Sequence, residues 1–315
     1  LGNESLSGSH LDVAELFFRL KGDDIVTVDV EDIVYMWNED SKLWEETNCL
    51  LISNSMGRPL EEFYKGVLEE ERGRLDTMTL SKAEEALLSS KIKQCQKMIA
   101  NVKSSPFQGN VFKQLRSFTS RQGFVDKLNN SRHELPVAGG KILDLQTGDV
   151  RDRTRSDLFS FALSTVYTPG ADSTDVRSFI SSLFQGDEQM VEFMRYLCGY
   201  FLTGETCERT LYIPWGIGKN GKSTWMNVLE AVLGKYSTSI SESVLIADGS
   251  KRGSSATPEL QSLVGRRLGV LPETAEQQTL DSSRIKRLTG NDTITYRPLY
   301  QKERTFRPML KLVML

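Results

Sequence analysis

The chain has 315 residues, 39% of them apolar and 26% charged, with a formal net charge of −3 at pH 7; this is the composition of a soluble globular protein long enough for two domains. No run approaches the length of a membrane span, and the N-terminal LGNESLSGSH has neither a basic start nor an apolar stretch, so a signal peptide is not expected and an intracellular, cytoplasmic setting is. The charge balance excludes a globally basic nucleic-acid binder, and Cys49, Cys95, Cys198 and Cys207, with no CxxC pair and only His10 and His133 beside them, read as reduced packing thiols.

In chain order, HLDVAELFFRL spaces Leu11, Ala14, Leu16, Phe17, Phe18 and Leu20 as a helix, with Asp12 near its start. IVTVDV and DIVYMWNEDSKLWEE then suit strands with a turn over Asn38–Ser41, flanked by Trp37 and Trp44. Asp29, Glu31 and Asp32 resemble the carboxylates of a two-metal centre, but an exposed acidic strand end accounts for them more simply. Residues 60–103 are charge-rich with apolar residues at helical spacing, which predicts one long or two shorter helices with Glu69–Glu71 on a solvated face. ELPVAGGKILDLQTGDVRDRT predicts small strands separated by glycine turns, and DEQMVEFMRYLCGYFL predicts a helix. The domain boundary is expected near Thr203, separating a helix-rich α+β part, 1–203, from 204–315.

The second part opens with a strand, TLYIPW, followed by GIGKNGKST and the helical run KSTWMNVLEAVLG. Gly216, Gly221, Lys222 and Ser223 meet the pattern GxxxxGK[ST] in the order strand, loop, helix that a phosphate cradle requires. Gly216, Gly218 and Gly221 allow backbone N–H groups to turn toward a polyphosphate, with Lys219 and Asn220 between them, and the helix start adds partial positive charge. Lys222 is expected to contact the β and γ phosphates of ATP, Ser223 to bind Mg²⁺ and Thr224 to hold the phosphate end. A surface turn rich in Gly and Lys is the plain alternative. Downstream, RRLGVLPET places Glu273 at the end of an apolar strand, where a carboxylate can hold the metal or polarise the attacking water. The usual acidic pair is missing, since Pro272 precedes Glu273 and the next acid is Glu276.

Residues 281–315 contain eight Lys or Arg against three Asp or Glu. TITYRPLY and RTFRPMLKLVML look like strands around QKER, a hairpin that would carry Lys302 and Arg304 toward nucleic-acid phosphates. In order and spacing, GIGKNGKST, RRLGVLPET and IKRLTGNDTITYRPLYQKERTFRPMLKLVML resemble the superfamily 3 helicases, particularly the poxvirus-type primase-helicases of large DNA viruses. ELPVAGGKILDLQTGDVRDRTRSDLFSF and LCGYFLTGET resemble the region before the helicase in those proteins, while 1–104 match loosely.

The resemblance implies an α/β fold with a P-loop ATPase core, an AAA+-like parallel sheet with flanking helices. It also implies a ring, usually a hexamer, with ATP between subunits and a pore hairpin drawing single-stranded or forked DNA. Lys222, Ser223 and Glu273 then serve ATP and Mg²⁺, and Lys302 or Arg304 the strand. Other replication proteins are conceivable partners, a membrane is not, and a viral source would place the protein in the host cytoplasm. The chain stops at KLVML, where the family would soon place a sensor asparagine, so a helicase part truncated at its C-terminal end is expected. A P-loop kinase lacks a recognisable lid or second phosphate clamp here, and a non-catalytic replication platform in 1–203 is compatible with the helicase reading.

Overall fold

The computed structural model describes residues 2–28, 33–77, 81–216, 218, 220–245, 257–272, 279–299 and 303–315. Its contacts define two compact units, Leu1–Asn38 with Trp44–Phe124, and Glu39–Leu43 with Val125–Leu315. The boundary expected near Thr203 falls inside the second unit. One hydrophobic core there joins Leu135 and Leu143 to Phe201, Trp225, Leu268 and Val313, so the middle of the chain and the loop region bury their apolar faces against each other.

The first unit is mainly helical. It comprises α1 (Gly2–Ser5), α2 (His10–Lys21), a sheet of β1 (Ile25–Val28), β2 (Ile33–Asn38) and β3 (Leu43–Asn48), then α3 (Cys49–Ser55), α4 (Gly57–Thr77), α5 (Lys82–Asn101) and α6 (Ser105–Thr119). Ser9, rather than Asp12, caps α2: its side chain accepts the Asp12 N–H. Two helices cover the charge-rich region, and a capping box of Ser81 and Glu84 starts the second of them. Val13, Leu16 and Phe17 of α2 bury against Leu60 and Tyr64 of α4 and Val111 and Leu115 of α6. Burial of the Tyr64 ring pushes its phenol up to about 12. Trp37 and Trp44 meet edge to face at 5.6 Å. Glu71 departs from the solvated face expected of it: it is buried, with Arg74 and Lys91 each 3.4 Å from its carboxylate, and so helps tie α5 to α4. Asp29, Glu31 and Asp32 lie outside the described residues.

The second unit is mixed α/β. After α7 (Phe124–Lys127), at the junction, β4 (Glu134–Val137), β5 (Lys141–Asp144) and β6 (Val150–Asp152) form an antiparallel meander, as the glycine turns predict. Then follow α8 (Thr174–Leu183), α9 (Glu188–Leu202), β7 (Leu211–Tyr212), α10 (Lys222–Leu233), β8 (Ser237–Ser239), α11 (Glu242–Leu245), α12 (Pro258–Gln261), β9 (Leu268–Leu271), α13 (Ser282–Thr289), β10 (Ile294–Tyr296), β11 (Arg304–Phe306) and β12 (Lys311–Met314). β7, β12, β9 and β8 make a four-stranded parallel sheet in that order. β10 and β11 make the expected antiparallel hairpin, pairing Tyr296 with Arg304.

Alternation along the central strands sorts the unit into two cores. Leu268, Val270 and Val313 face a cluster built from α8, α9 and α10. Leu271 and Leu312 face another, with Ile240, Leu288 and Ile294. Gly269 is required where it sits, because a Cβ there would collide with Ile240 and approach Leu310 at 2.7 Å. No helix among the described residues is long and apolar enough to cross a membrane.

Candidate functional site

The register puts the loop at one edge of the parallel sheet. Val313 pairs with Tyr212 on one side and with Val270 on the other, so β7 and β9 end within one residue of each other across β12. The chain leaves β7 into the glycine loop and leaves β9 through Pro272, both at the carboxyl ends of the strands, the edge where open α/β sheets bind ligands.

α10 begins without a side-chain cap. Its N-cap, Gly221, has φ +82°, left-handed backbone that a side chain would strain, and a Cβ there would collide with Leu183. A Cβ on Gly216 would collide with the Asn220 amide, whereas nothing lies within 4 Å of the corresponding point on Gly218. The first helical hydrogen bond runs from the Trp225 N–H to the Gly221 carbonyl at 2.9 Å, so the N–H groups before it lie in the turn that has no partner further back in the helix. Those groups and the helix dipole present positive potential at the loop. The Lys222 ammonium folds back and donates to the Gly216 carbonyl at 2.9 Å, closing the loop over itself. Ser223 and Thr224 stand exposed in the first turn.

These features fit a polyphosphate: two glycines lie where a Cβ would collide with a neighbour, the helix start is uncapped, and an ammonium lies across the mouth. For the metal, the described residues supply Ser223, and among them no group of three or more His, Cys, Asp or Glu could hold an ion. Lys219, Glu273, Glu276 and Lys302 lie outside the described residues. Gly216, Gly218, Asn220, Gly221, Lys222, Ser223 and Thr224 are thus brought together. Arg304 is carried by the two-stranded hairpin rather than by the sheet that bears the loop.

Two features escape the sequence reading. One is a pair of buried cations at the opposite ends of the same strands. Arg267, fully buried just before β9, donates to the carbonyls of Leu202, Ser131 at 3.0 Å and Glu134 at 2.5 Å. Lys311, at the start of β12, donates to the carbonyls of Thr203 and, at 3.3 Å, Met309. Both reach the C-terminal end of α9, where helix carbonyls lack partners. Burial pushes the Lys311 ammonium well below its ordinary range, with the Arg267 charge adding to the effect. Lys311 therefore does not belong to the basic surface that the count over 281–315 suggested. The only sequence signal for it was a lysine inside an apolar run. The other feature is an apolar cleft beside the loop, of about 370 Å³, with Phe193, Met194, Trp215 and Trp225 among its lining.

The D5 N terminal like family matches residues 14–185, more than half of the chain, and the chain belongs to that family. A family of unknown function, DUF5906, matches residues 215–315, the segment holding the glycine loop. Among relatives, the protein named "Putative helicase L207/L206" of Acanthamoeba polyphaga mimivirus is 27% identical over 219 residues, 68% of this chain and 22% of its own length. "Putative helicase 121R" of Invertebrate iridescent virus 3 is 28% identical over 248 residues, 74% of this chain and 26% of its own. The chain thus spans about a quarter of the length of these relatives. The resemblance to the primase-helicase family of large DNA viruses holds at this level. The apo structure of the NrS-1 C terminal region aligns with 56% of this chain and 39% of its own at 16% identity and a TM-score of 0.39.

Proposed function

We propose that this chain is part of a DNA replication protein of viral type and carries the nucleotide-binding module of an ATP-dependent helicase. The carrying observation is the start of α10, where an uncapped helix follows a left-handed glycine and Lys222 lies across the loop, all at the carboxyl edge of a parallel sheet. The helicase names of the relatives support the reading. On this reading the sheet with its flanking helices is a P-loop core of the AAA+ kind within the second unit, and the mainly helical first unit belongs to the collar that precedes it in the chain. Subunits assemble as a ring, a hexamer, that moves on single-stranded DNA inside a host cell.

The loop N–H groups receive the phosphate oxygens as hydrogen-bond donors. Lys222 gives up the Gly216 carbonyl and turns its ammonium to the β and γ phosphates. Ser223 offers its hydroxyl to Mg²⁺, and Thr224 steadies the terminal phosphate. When bound, Mg²⁺ neutralises charge on the phosphates. Glu273, which follows β9 in sequence, orients and polarises the attacking water, and Lys302 and Arg304 hold the strand by its phosphates.

Lys222→Ala tests the central claim. Calorimetric titration should show ATP affinity falling by about a hundredfold, as for loss of a charge-assisted contact of about 3 kcal/mol, with unchanged circular dichroism. Retention of wild-type affinity would refute the loop assignment.

A further inference from the structure

The cleft beside the loop shares Asn220, Lys222 and the α10 helix with the phosphate reading, which leaves the rest of its lining without a role. Its lining comes from the end of α8, from α9, from the segment after β7 and from α10, and it includes Asn220 and Lys222 of the glycine loop itself. The cleft therefore opens onto the place where the phosphates would lie. Its volume of about 370 Å³ is in the range of small-molecule sites.

Its rim exposes large apolar side chains. Trp215, immediately before the first glycine, is 90% exposed, Ile213 is 56% exposed, and Phe193 of α9 is 51% exposed. Half-buried Met190 and the buried Met194 and Leu197, on one side of α9, form the inner wall behind that rim. Such a surface gains by covering itself with a flat apolar ligand, and aromatic side chains stack on the face of any nucleobase. The polar side-chain groups that line it are few: the Tyr212 hydroxyl, the indole N–H groups of Trp215 and Trp225, the Asn220 amide and the Lys222 ammonium, and the ammonium is committed to the loop. Hydrogen bonds that would read a base edge are therefore scarce.

We infer that this cleft receives the base of the bound nucleotide, with Trp215 and Phe193 as its aromatic contacts, and that it selects by ring area rather than base identity. Purine nucleotides bind ahead of pyrimidine ones by a small factor, and no single base is required. This inference rests on the nucleotide reading of the loop.

The test uses the 315-residue chain with Mg²⁺ and compares ATP, GTP, CTP, UTP and inorganic tripolyphosphate as ligands. Trp215→Ala and Phe193→Ala are suitable variants because both side chains are largely exposed, whereas Trp37, Trp44 and Trp225 are buried. The wild type should bind the four nucleotides within about fivefold of one another, purines first. Each variant should lose about tenfold in ATP affinity, in line with alanine replacement of a stacking aromatic, and keep its affinity for tripolyphosphate. Indole emission should fall on adding ATP but not tripolyphosphate, and Trp215→Phe should abolish that signal while retaining ATP binding. Unchanged ATP affinity in both alanine variants would overturn the inference and leave the loop reading standing; so would a change confined to the sedimentation of the chain, which would assign the cleft to a second copy. Failure of tripolyphosphate to bind the wild type would overturn the loop reading and the cleft with it.

Discussion

Two helix ends in the second unit are treated in opposite ways. The N-terminus of α10 has no side-chain cap, a glycine in left-handed backbone and two exposed hydroxyls. The C-terminus of α9 is closed by the buried Arg267 and Lys311, whose donors meet the carbonyls of Leu202 and Thr203. Both ends face the same physical problem of backbone groups left over by the helix. One is solved internally with charges that cost desolvation; the other has no side-chain cap, which is what the proposed nucleotide reading needs. The doubly met end is a fixture. The fixture sits on the same strands, since Arg267 precedes β9 and Lys311 begins β12.

The largest test of this contrast is Arg267→Ala. It leaves three part-buried carbonyls without this donor, and we expect about 3 kcal/mol of lost stability, read from the denaturation midpoint at constant slope. A loss below about 1 kcal/mol would mean that the α9 end needs no such closure. Gly221→Ala comes next. The positive φ and the contact with Leu183 together should cost about 2 kcal/mol and weaken nucleotide binding; wild-type thermal stability would show that the glycine is not needed there. A pH series then isolates Lys311. Because its folded value lies well below its ordinary 10.5, the unfolded chain holds more protons between those two values. Stability therefore rises with pH across that window, by at most about 1.4 kcal/mol per pH unit, and the penalty is full below the folded value. Lys311→Met should flatten that rise relative to wild type. The smallest effect is Ser223→Asp. A carboxylate in the first turn of α10 should stabilise the fold by about 0.5 kcal/mol and abolish ATP binding by repelling phosphate. Destabilisation instead would show that the helix start is not short of negative charge.

The helix after the glycines was legible because its signals are local, although of the spacing Trp225, Val228, Leu229 and Val232 on which it was read only Trp225 and Leu229 are buried, with Met226 and Leu233 completing the face. The meander over 134–152 was legible for the same reason, through Gly139, Gly140 and Gly148 at positive φ. Pairings made at long range were not. RTFRPMLKLVML was read as one strand of a hairpin, yet it divides: β11 pairs with β10, and β12 enters the parallel sheet between β7 and β9. Charges were misread where tertiary structure decides their surroundings, as with Lys311 and Glu71, because a sequence shows the charge but not what closes over it. The boundary near Thr203 was drawn where a helix gives way to a strand, but α9 belongs to the core of the strands that follow it.

β12 also bears on how the protein comes to be folded. Among the described strands β7 has only β12 as a neighbour, and Leu312 and Leu211 are about a hundred residues apart in the chain. Pairing at that separation must overcome a large loop-closure entropy before it is rewarded, and parallel pairing of this kind forms slowly. During synthesis the strand leading into the glycine loop therefore stays without its β12 partner until β12 has left the ribosome. Nucleotide binding should accordingly appear as a late event in refolding, after the first unit has regained its helices.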